Sequence, residues 1–458
     1  MIKRNGKFKA AVAAAVASLM LLSGCGGGTQ TAAKTGTAVA DTITAQVAYA
    51  SRDFSPSTTS GALPMAANWH VTEPLYISML DFIDSVEAKS DTQVTFKLKK
   101  AFPLFKQRLA LIQIVPSSMS DADLKNKPIG SGPWKYAEIT DQQVKFERND
   151  LYNGSYPAQA KNMVWNVTVD DTARVTAMQG GKTDIMEMVP AQALQTLQSS
   201  GSELKTAQGF NLPFLMFNTK KKPFDDKRVR QAVFYAIDVD KLISNQMSGQ
   251  AEAATSFLPK DSQYYHQSKN VYTKDTAKAK ELLAEAGVTT PISFTLYTTD
   301  HSWITQLAPQ IKNDLAEIGM NVDIQSMKSS ALYPSITDKD DADYSMVLAP
   351  GDPSVFGNDP DLLMNWWYGD NAWTKQRSFW KGSDGYNQLH ELMDKATAAS
   401  SDSERQEYWN QCFDLLSEEL PLYPLFHRKT TTAVRKGAFS SWEAIGSTGI
   451  NLVKAKLN

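Results

Sequence analysis

Acidic and aromatic side chains are concentrated in residues 351–373, GDPSVFGNDPDLLMNWWYGDNAW. A pocket for a small ligand combines an apolar wall with a few polar groups that fix the orientation of the ligand. This segment supplies both: its acids are Asp352, Asp359, Asp361 and Asp370, and its aromatic residues are Phe356, Trp366, Trp367, Tyr368 and Trp373. The composition therefore makes the segment a candidate binding site.

Structural roles compete with this interpretation. Asp352 precedes Pro353 and can begin a turn, a position that favours aspartate. Trp366 and Trp367 can pack in a core, and two adjacent residues of a regular element do not face one pocket. Both alternatives stay open from the residues alone.

Catalytic motifs are absent from the sequence. The five histidines do not form an H-E-x-x-H zinc motif, and the chain has neither a G-x-S-x-G elbow nor a phosphate-binding G-x-x-x-x-G-K-[ST] loop. Asp359 and Asp361 form a close acidic pair of a kind common in loops, and Cys412 lies in a helix-like run where a small buried residue is expected. We expect a protein that is not an enzyme and that has no cofactor and no metal. The histidines are His70, His266, His301, His390 and His427.

The charge distribution argues against a nucleic-acid partner. The formal net charge of the whole chain is −2, and the first 24 residues contribute four basic side chains and no acid. The remaining residues therefore carry a formal charge of about −6. A nucleic-acid surface needs a basic stripe to neutralise phosphates, so we exclude this class of partner.

The N-terminal residues have the pattern of an export signal. A basic start precedes a 13-residue apolar run, residues 10–22, which is shorter than the roughly 20 residues of a membrane-spanning helix. The following Leu22-Ser23-Gly24-Cys25 resembles the bacterial lipobox. The resemblance implies cleavage after residue 24 and acylation of Cys25, which would anchor the chain in a lipid bilayer. Residues 25–42 are rich in Gly, Thr and Ala and predict a flexible tether.

The folded part predicts an α/β protein with two domains. Alternating apolar residues indicate strands at 91–102, 144–152 and 163–169, and residues 171–179 predict a helix that ends at Gly180-Gly181. A short strand follows, which gives β-α-β order.

The second half repeats this order. Asp225 or Asp226 can cap a helix with one apolar face, and the run 275–287 predicts a helix with Gly287 after its end. Residues 292–325 predict a parallel βαβ unit whose helix Pro309 kinks.

Several of these segments resemble the family 5 extracellular solute-binding proteins of oligopeptide, dipeptide and nickel ABC importers. The matching text includes GSGPWKY…VKFERNDLY, FNTKKKPFDDKRVRQAVFYAIDVDKLI and LSEELPLYPLFH, over about residues 126–425. The resemblance implies the two-lobe periplasmic-binding-protein-like fold (class II, peptide-binding type) with the ligand in a cleft between the lobes. It implies a first lobe at 43–217 plus 422–458 and a second lobe at 218–421.

The resemblance also implies functional residues and partners. In the peptide-binding branch an Asp before Pro, after a second-lobe strand, pairs with the α-ammonium of the ligand, and Asp352 matches this motif. Trp366, Trp367 and Phe356 are then expected to line the same site. The implied function is capture of oligopeptides or dipeptides at the cell surface, as a monomer, for delivery to an ABC permease and ATPase complex. Alternatives are a sensor, chaperone or adhesin of the same fold, a secreted hydrolase, or an importer for a nickel chelate or an oligosaccharide.

One departure from the family lies in the first lobe. Residues 67–80 resemble an early family segment, and residues 82–105 resemble a segment that normally follows much later. We therefore expect a shortened subdomain within about residues 55–127, on one side of the cleft. Either the chain is a naturally shortened member or an internal stretch was lost.

Overall fold

A computed structural model of the protein describes residues 40–49, 54–55, 62–71, 82–109, 115–116, 118–352, 354 and 359–458. The predictions made for the signal segment 1–24, Cys25, most of the tether 25–42 and Phe356 lie outside the described residues.

Strands and helices alternate along much of the chain. The strands are β1 (Ala40–Val47), β2 (Ile83–Ser90), β3 (Gln93–Leu98), β4 (Trp134–Ile139), β5 (Gln143–Arg148), β6 (Ala160–Val167), β7 (Ile185–Met186), β8 (Ser202–Gln208), β9 (Leu212–Phe217), β10 (Ala251–Ala253), β11 (Ile292–Thr299), β12 (Met320–Met327), β13 (Met346–Gly351), β14 (Leu422–Pro424), β15 (Phe426–Arg435), β16 (Phe439–Ser441) and β17 (Lys456–Leu457). The α-helices are α1 (Ala62–Val71), α2 (Phe105–Leu109), α3 (Asp121–Asn126), α4 (Asp171–Gln179), α5 (Leu194–Ser199), α6 (Lys227–Ala236), α7 (Val239–Gln246), α8 (Thr276–Glu285), α9 (Ser302–Thr305), α10 (Ala308–Ala316), α11 (Ser329–Leu332), α12 (Pro360–Tyr368), α13 (Asp384–Ala398) and α14 (Asp402–Glu419).

The first of two large sheets has eight strands in the order β10-β15-β7-β1-β6-β5-β4, and β8 also pairs with β15. Strand β1 runs parallel to β6 and β7. Its core contains side chains from the beginning and from the end of the described chain, including Ile43, Trp165 and Trp442. The C-terminal residues therefore complete this sheet and its core.

The second sheet has five strands in the order β12-β11-β13-β9-β14. Strand β11 is parallel to β12 and β13, whereas β9 is antiparallel to both of its neighbours. Its core is the larger one and contains the fully buried β9 together with the apolar faces of α6, α10 and α14. The β11-α10-β12 order confirms the predicted parallel unit.

Most predicted helices form as expected. Asp226 caps α6 by accepting a hydrogen bond from the amide of Arg228 at 2.8 Å. Gly287 follows α8 with φ +70°, a left-handed conformation that glycine adopts without steric cost. Cys412 is buried within α14, and burial raises the pKa of its thiol well above the ordinary range.

Pro309 lies in the first turn of the second of two helices and does not kink a single continuous helix. Helix α9 ends at Thr305 and α10 begins at Ala308, with Pro309 in its first turn. Proline is tolerated there because the amide it lacks has no intrahelical partner. The prediction of a continuous helix through this region was therefore wrong.

The chain passes between the two sheets in two places. Strand β9 pairs with β13 and β14, so the second sheet takes its first strand from Leu212. Strand β14 belongs to the same sheet, and β15 returns to the first sheet from Phe426. The lobe boundaries given as 43–217 plus 422–458 and 218–421 stay a prediction.

The segment predicted to be a shortened subdomain contains a hairpin and a short helix. Strands β2 and β3 pair antiparallel, and Phe82, Phe102 and Leu104 form a small core beside them. Arg108 of α2 is 1% exposed and binds both Asp359 and Asp361 at the start of α12, which follows the second sheet. This ion-pair cluster fastens the segment to the second-sheet side of the molecule.

Within the described part of the chain, no helix combines the length and apolar composition that crossing a bilayer requires.

Candidate ligand-binding site between the sheets

A cavity of about 650 Å³ lies between the two sheets. We call it the interlobe cavity. Residues that follow β1, β6 and β7 line one wall, and residues that follow β11 line the other. These are the carboxyl ends of parallel strands, where open α/β sheets place their ligands. The volume falls within the range of roughly 300–1,000 Å³ that is usual for small-molecule sites.

The first wall is built by the loop from β6 into α4 and by the end of β1. Asp170 caps α4 by accepting a hydrogen bond from the amide of Ala173 at 2.7 Å. Arg174, 2% exposed, then turns back and donates to the carbonyl of Thr168 at 2.8 Å and to Asp171 at 2.6 Å. These bonds hold the loop at the rim of the cavity.

The second wall is the turn that leads from β11 into α9. Trp303 of the adjoining α9 is buried and contributes to the core of the second sheet. Ser302 donates a hydrogen bond to Asp171 at 2.8 Å, which joins the two walls directly. His301 stacks at a tilt against Tyr49 with ring centroids 5.6 Å apart, and burial lowers the pKa of its imidazole.

Arg428 enters the cavity from β15, the crossover strand between the sheets. Its guanidinium lies 4.8 Å from the centre of the Trp303 ring and the side chain is 7% exposed. The Nη1 atom is buried and has no hydrogen-bond partner among the described residues. Burial lowers the pKa of Arg428, and the Arg174 charge acts in the same direction. The sequence does not single out Arg428, because the local sequence does not show whether an arginine has a partner in the fold.

Asp352 lies at the end of β13 and contacts the C-terminal part of the chain. Its carboxylate accepts hydrogen bonds from the amide of Thr448 at 2.6 Å and from the hydroxyl of Ser354 at 2.6 Å. The next amide, that of Gly449, donates to Glu187 at 2.6 Å. Burial raises the pKa of both carboxyl groups. Asp352 therefore joins the second sheet to the loop that follows β15, and it is not part of the interlobe cavity wall.

The two tryptophans occupy different environments. Trp367 is 2% exposed and packs edge-on against Phe214, with ring centroids 5.3 Å apart. A Cβ at residue 351 would lie 2.2 Å from the Trp367 ring, so Gly351 is required for this packing. Trp366 is partly buried and faces Trp373 at 6.5 Å. Neither tryptophan lines the interlobe cavity, and their role in binding stays a prediction.

Among the described residues no cluster of three or more His, Cys, Asp or Glu side chains is arranged to hold a metal ion. His70 and His427 are buried, and burial lowers the pKa of each to about 4. His70 accepts a hydrogen bond from the amide of Leu452 at 2.9 Å, which is a structural role.

The sequence matches the model of a known protein family. Residues 41–375 match the model of the bacterial extracellular solute-binding proteins, family 5. The chain belongs to this family. Its members are extracellular solute-binding proteins, which agrees with a cavity between two α/β lobes.

Curated relatives extend over most of the chain. This chain is 26% identical to the di/tripeptide-binding protein 1 of Pseudomonas aeruginosa. The alignment covers 77% of this chain and 68% of that protein. The dipeptide-binding protein of Escherichia coli is 26% identical over 78% of this chain and 68% of its own length. A glutathione-binding protein of Pectobacterium atrosepticum is 28% identical, and the alignment covers 55% of this chain and 50% of that protein.

Solved structures establish the fold. The Helicobacter pylori periplasmic binding protein DppA, in complex with the peptide STSA, has a TM-score of 0.78 at 19% identity and covers 92% of this chain and 98% of its own. The NikA protein of Staphylococcus aureus, in complex with Ni(L-His)2, has a TM-score of 0.73 at 16% identity. The match covers 91% of this chain and 100% of that protein. The two-lobe fold predicted from the sequence is thereby confirmed.

Proposed function

We propose that this protein is the substrate-binding component of an ABC importer and that it captures short peptides between its two lobes. The interlobe cavity carries the proposal, because its walls come from both sheets and its volume suits a ligand of a few residues. The relatives that bind dipeptides, tripeptides and glutathione support this ligand class.

Binding in such a site depends on enclosure. When the two walls approach, the peptide leaves water and its polar groups meet the groups of the cavity. The ligand stabilises the closed form by the difference between its affinities for the two forms. Delivery to the permease then requires reopening, and no bond of the peptide has to break. We accordingly propose a binding protein without catalytic activity.

Export and anchoring complete the proposal. The lipobox-like sequence supports cleavage after residue 24 and acylation of Cys25, so that the protein stays at the outer face of the cell membrane. More than one acyl chain gives stable anchoring, since each buried CH₂ contributes about 0.8 kcal/mol. We propose that the anchored protein acts as a monomer beside its permease and ATPase.

The experiment that tests the ligand class is mass spectrometry of the compound retained through native purification. We expect peptides of two to several residues. Recovery of a sugar or of a nickel chelate, with no peptide, would contradict the proposal and favour one of the other importers. Titration calorimetry with defined dipeptides and tripeptides then gives the affinity, and a catalytic alternative predicts turnover of the bound peptide during the measurement.

A further inference from the structure

The hairpin segment, residues 82–109, is an insertion in one lobe. The first lobe is the half of the molecule built on the eight-stranded sheet, and the second lobe is the half built on the five-stranded sheet. Before the segment, Val71 lies in the core of the first sheet, and its carbonyl accepts a hydrogen bond from the amide of Gly132 at 2.9 Å. After the segment, the carbonyl of Lys125 accepts a hydrogen bond at 3.0 Å from the amide of Phe54, another residue of that core. The chain is therefore tied to the first lobe on both sides of the segment.

The segment itself packs on the second lobe. Among the described residues its small core, with Phe82, Phe102 and Leu104, is separate from the cores of the two sheets. Lys100 pairs with Asp394 of α13 at 2.7 Å, and Leu104 lines a cavity of about 340 Å³ together with residues of α14. Both helices lie in the chain between β13 and β14, two strands of the second sheet. The segment therefore bridges the two lobes.

A buried ion cluster makes the strongest of these contacts. Arg108 is 1% exposed, and its guanidinium binds both Asp359 and Asp361, with Nη2 at 3.1 Å from Oδ1 of Asp359. Asp359 also caps α12 by accepting a hydrogen bond from the amide of Leu362 at 3.1 Å, and Asp361 accepts one from Nδ2 of Asn365 at 2.8 Å. Helix α12 thus positions both carboxylates from the second lobe, whereas the cation belongs to an insertion in the first.

We propose that Arg108, Asp359 and Asp361 form an interlobe latch that controls how fast peptides enter and leave the interlobe cavity. Lobes joined by a hinge part when the cleft opens, and this motion separates the anchors of the latch. Hydrogen bonds between ionised groups are roughly twice as strong as those between neutral ones, so the latch resists opening. The proposal rests on the proposed function, because entry and release of a peptide require that the lobes part.

The latch acts in the same way on the empty and on the occupied cavity. Its three side chains do not line the interlobe cavity, so its bonds involve no group of the ligand. A contact that stabilises the closed form equally with and without peptide gives little preference for one over the other. A peptide has to wait for the latch to open in both directions. The latch therefore slows association and dissociation, and it changes the equilibrium affinity less than it changes either rate.

The test removes the latch without leaving a buried charge unpaired. The neutral triple variant combines Arg108→Met, Asp359→Asn and Asp361→Asn, and such a replacement of a whole buried ion cluster costs little stability. Asparagine at residue 359 keeps an oxygen that can cap α12. Asp361→Asn alone is the milder variant, because Asp359 still pairs with Arg108. The matched control combines Arg435→Met with Asp184→Asn and removes an arginine–aspartate pair that lies within the first lobe.

Small-angle X-ray scattering of the full mature protein reports lobe opening without any ligand. After exhaustive dialysis, we expect the neutral triple variant to have a larger radius of gyration than wild type. Saturating alanyl-alanine should bring the variant back to the value of peptide-bound wild type. The control variant should keep the wild-type radius, since its lost ion pair does not join the lobes.

Stopped-flow tryptophan fluorescence with alanyl-alanine and trialanine measures the two rates. Dissociation from the neutral triple variant should be about 10- to 100-fold faster than from wild type, the range for hydrogen bonds to charged groups. Association should also be faster, and Asp361→Asn should give smaller changes in the same direction. A merely structural role of the cluster predicts a lower melting temperature with no increase in the association rate.

Two outcomes separate the latch from the proposed function. If the neutral triple variant folds and keeps the wild-type radius of gyration and both wild-type rates, the latch is wrong, the segment follows the second lobe when the cleft opens, and the proposed function stands. If neither peptide binds to wild type or to the variant, the peptide function fails. A larger radius of gyration of the variant would then still show that the cluster holds the lobes together.

Discussion

The segment Gly351–Trp373 and the cavity wall around Arg428 differ in what the fold leaves unpaired. In the segment, the described acids have protein partners: Asp352 binds Thr448, and Asp359 and Asp361 bind Arg108. In the wall, Arg428 keeps a buried donor without a described partner. The comparison teaches that the acids and aromatic residues concentrated in this segment serve the fold, whereas the cavity wall keeps a buried hydrogen-bond donor that the described protein leaves unpaired.

The largest expected effect concerns Arg108, which fastens the hairpin segment to the start of α12. Arg108→Ala should lower the free energy of unfolding by about 3–5 kcal/mol, because it leaves two carboxylates side by side without their counter-ion. Chemical denaturation measures this directly. Lys100→Ala is the control: Lys100 pairs with Asp394 at 2.7 Å on the exposed surface, and its removal should cost no more than about 1 kcal/mol. Equal losses would show that the buried cluster is not what holds the segment.

The adjacent tryptophans give a prediction of similar size. Trp367→Ala should destabilise the protein by about 3–5 kcal/mol, since it empties a packed position against Phe214. Trp366→Ala should cost clearly less, because this ring is partly exposed. A stability scan of the two variants checks the order. The opposite order, or a loss of peptide affinity with Trp367→Ala at unchanged stability, would return Trp367 to the list of ligand contacts.

Asp352 tests whether the acid suggested by the sequence also serves the ligand. The family resemblance predicts that Asp352→Asn weakens peptide binding more than about tenfold through a lost contact to the α-ammonium. Acetylation of the peptide N terminus should then weaken binding to wild type by a similar factor and have little effect on the variant. Unchanged affinity in both comparisons would retire the ammonium role and leave the contact with Thr448 as the function of this carboxylate.

The smallest effect is a pH dependence of stability. Burial raises the pKa of Asp352 above its ordinary value of 3.8. The folded chain therefore holds this proton more tightly than the unfolded chain does, and the contribution to the free energy of unfolding is lost as pH rises through the raised pKa. The loss is about 1.4 kcal/mol for each pH unit between the ordinary and the raised value.

The difference in stability between wild type and Asp352→Asn separates the effect of Asp352 from that of the buried histidines, which are present in both proteins. His70 and His427, with pKa values lowered to about 4, give the opposite slope: their contribution is lost as pH falls from 6.5 towards 4. The difference in stability between wild type and Asp352→Asn should therefore be largest near pH 4 and shrink towards pH 7. A difference that grows with pH would show that the Asp352 carboxyl group is stabilised in its charged form.

The sequence allowed the prediction of the elements and of the family, because both depend on local patterns. The capped helix α6, the glycine after α8 and the parallel β11-α10-β12 unit follow from periodicity and from cap residues. Strand β9 is buried on both faces, so its side-chain pattern alone does not show which of the two sheets it joins. Arg428 could not be found for a related reason: whether an arginine has a partner depends on tertiary neighbours that lie far away in the sequence.

The central claim is that a short peptide binds in the interlobe cavity. The most direct test is a crystal structure of the protein with a bound dipeptide that has a free C terminus. We predict that the peptide lies in the interlobe cavity and contacts both the wall that follows β1, β6 and β7 and the wall that follows β11. A peptide bound elsewhere on the protein would contradict the account.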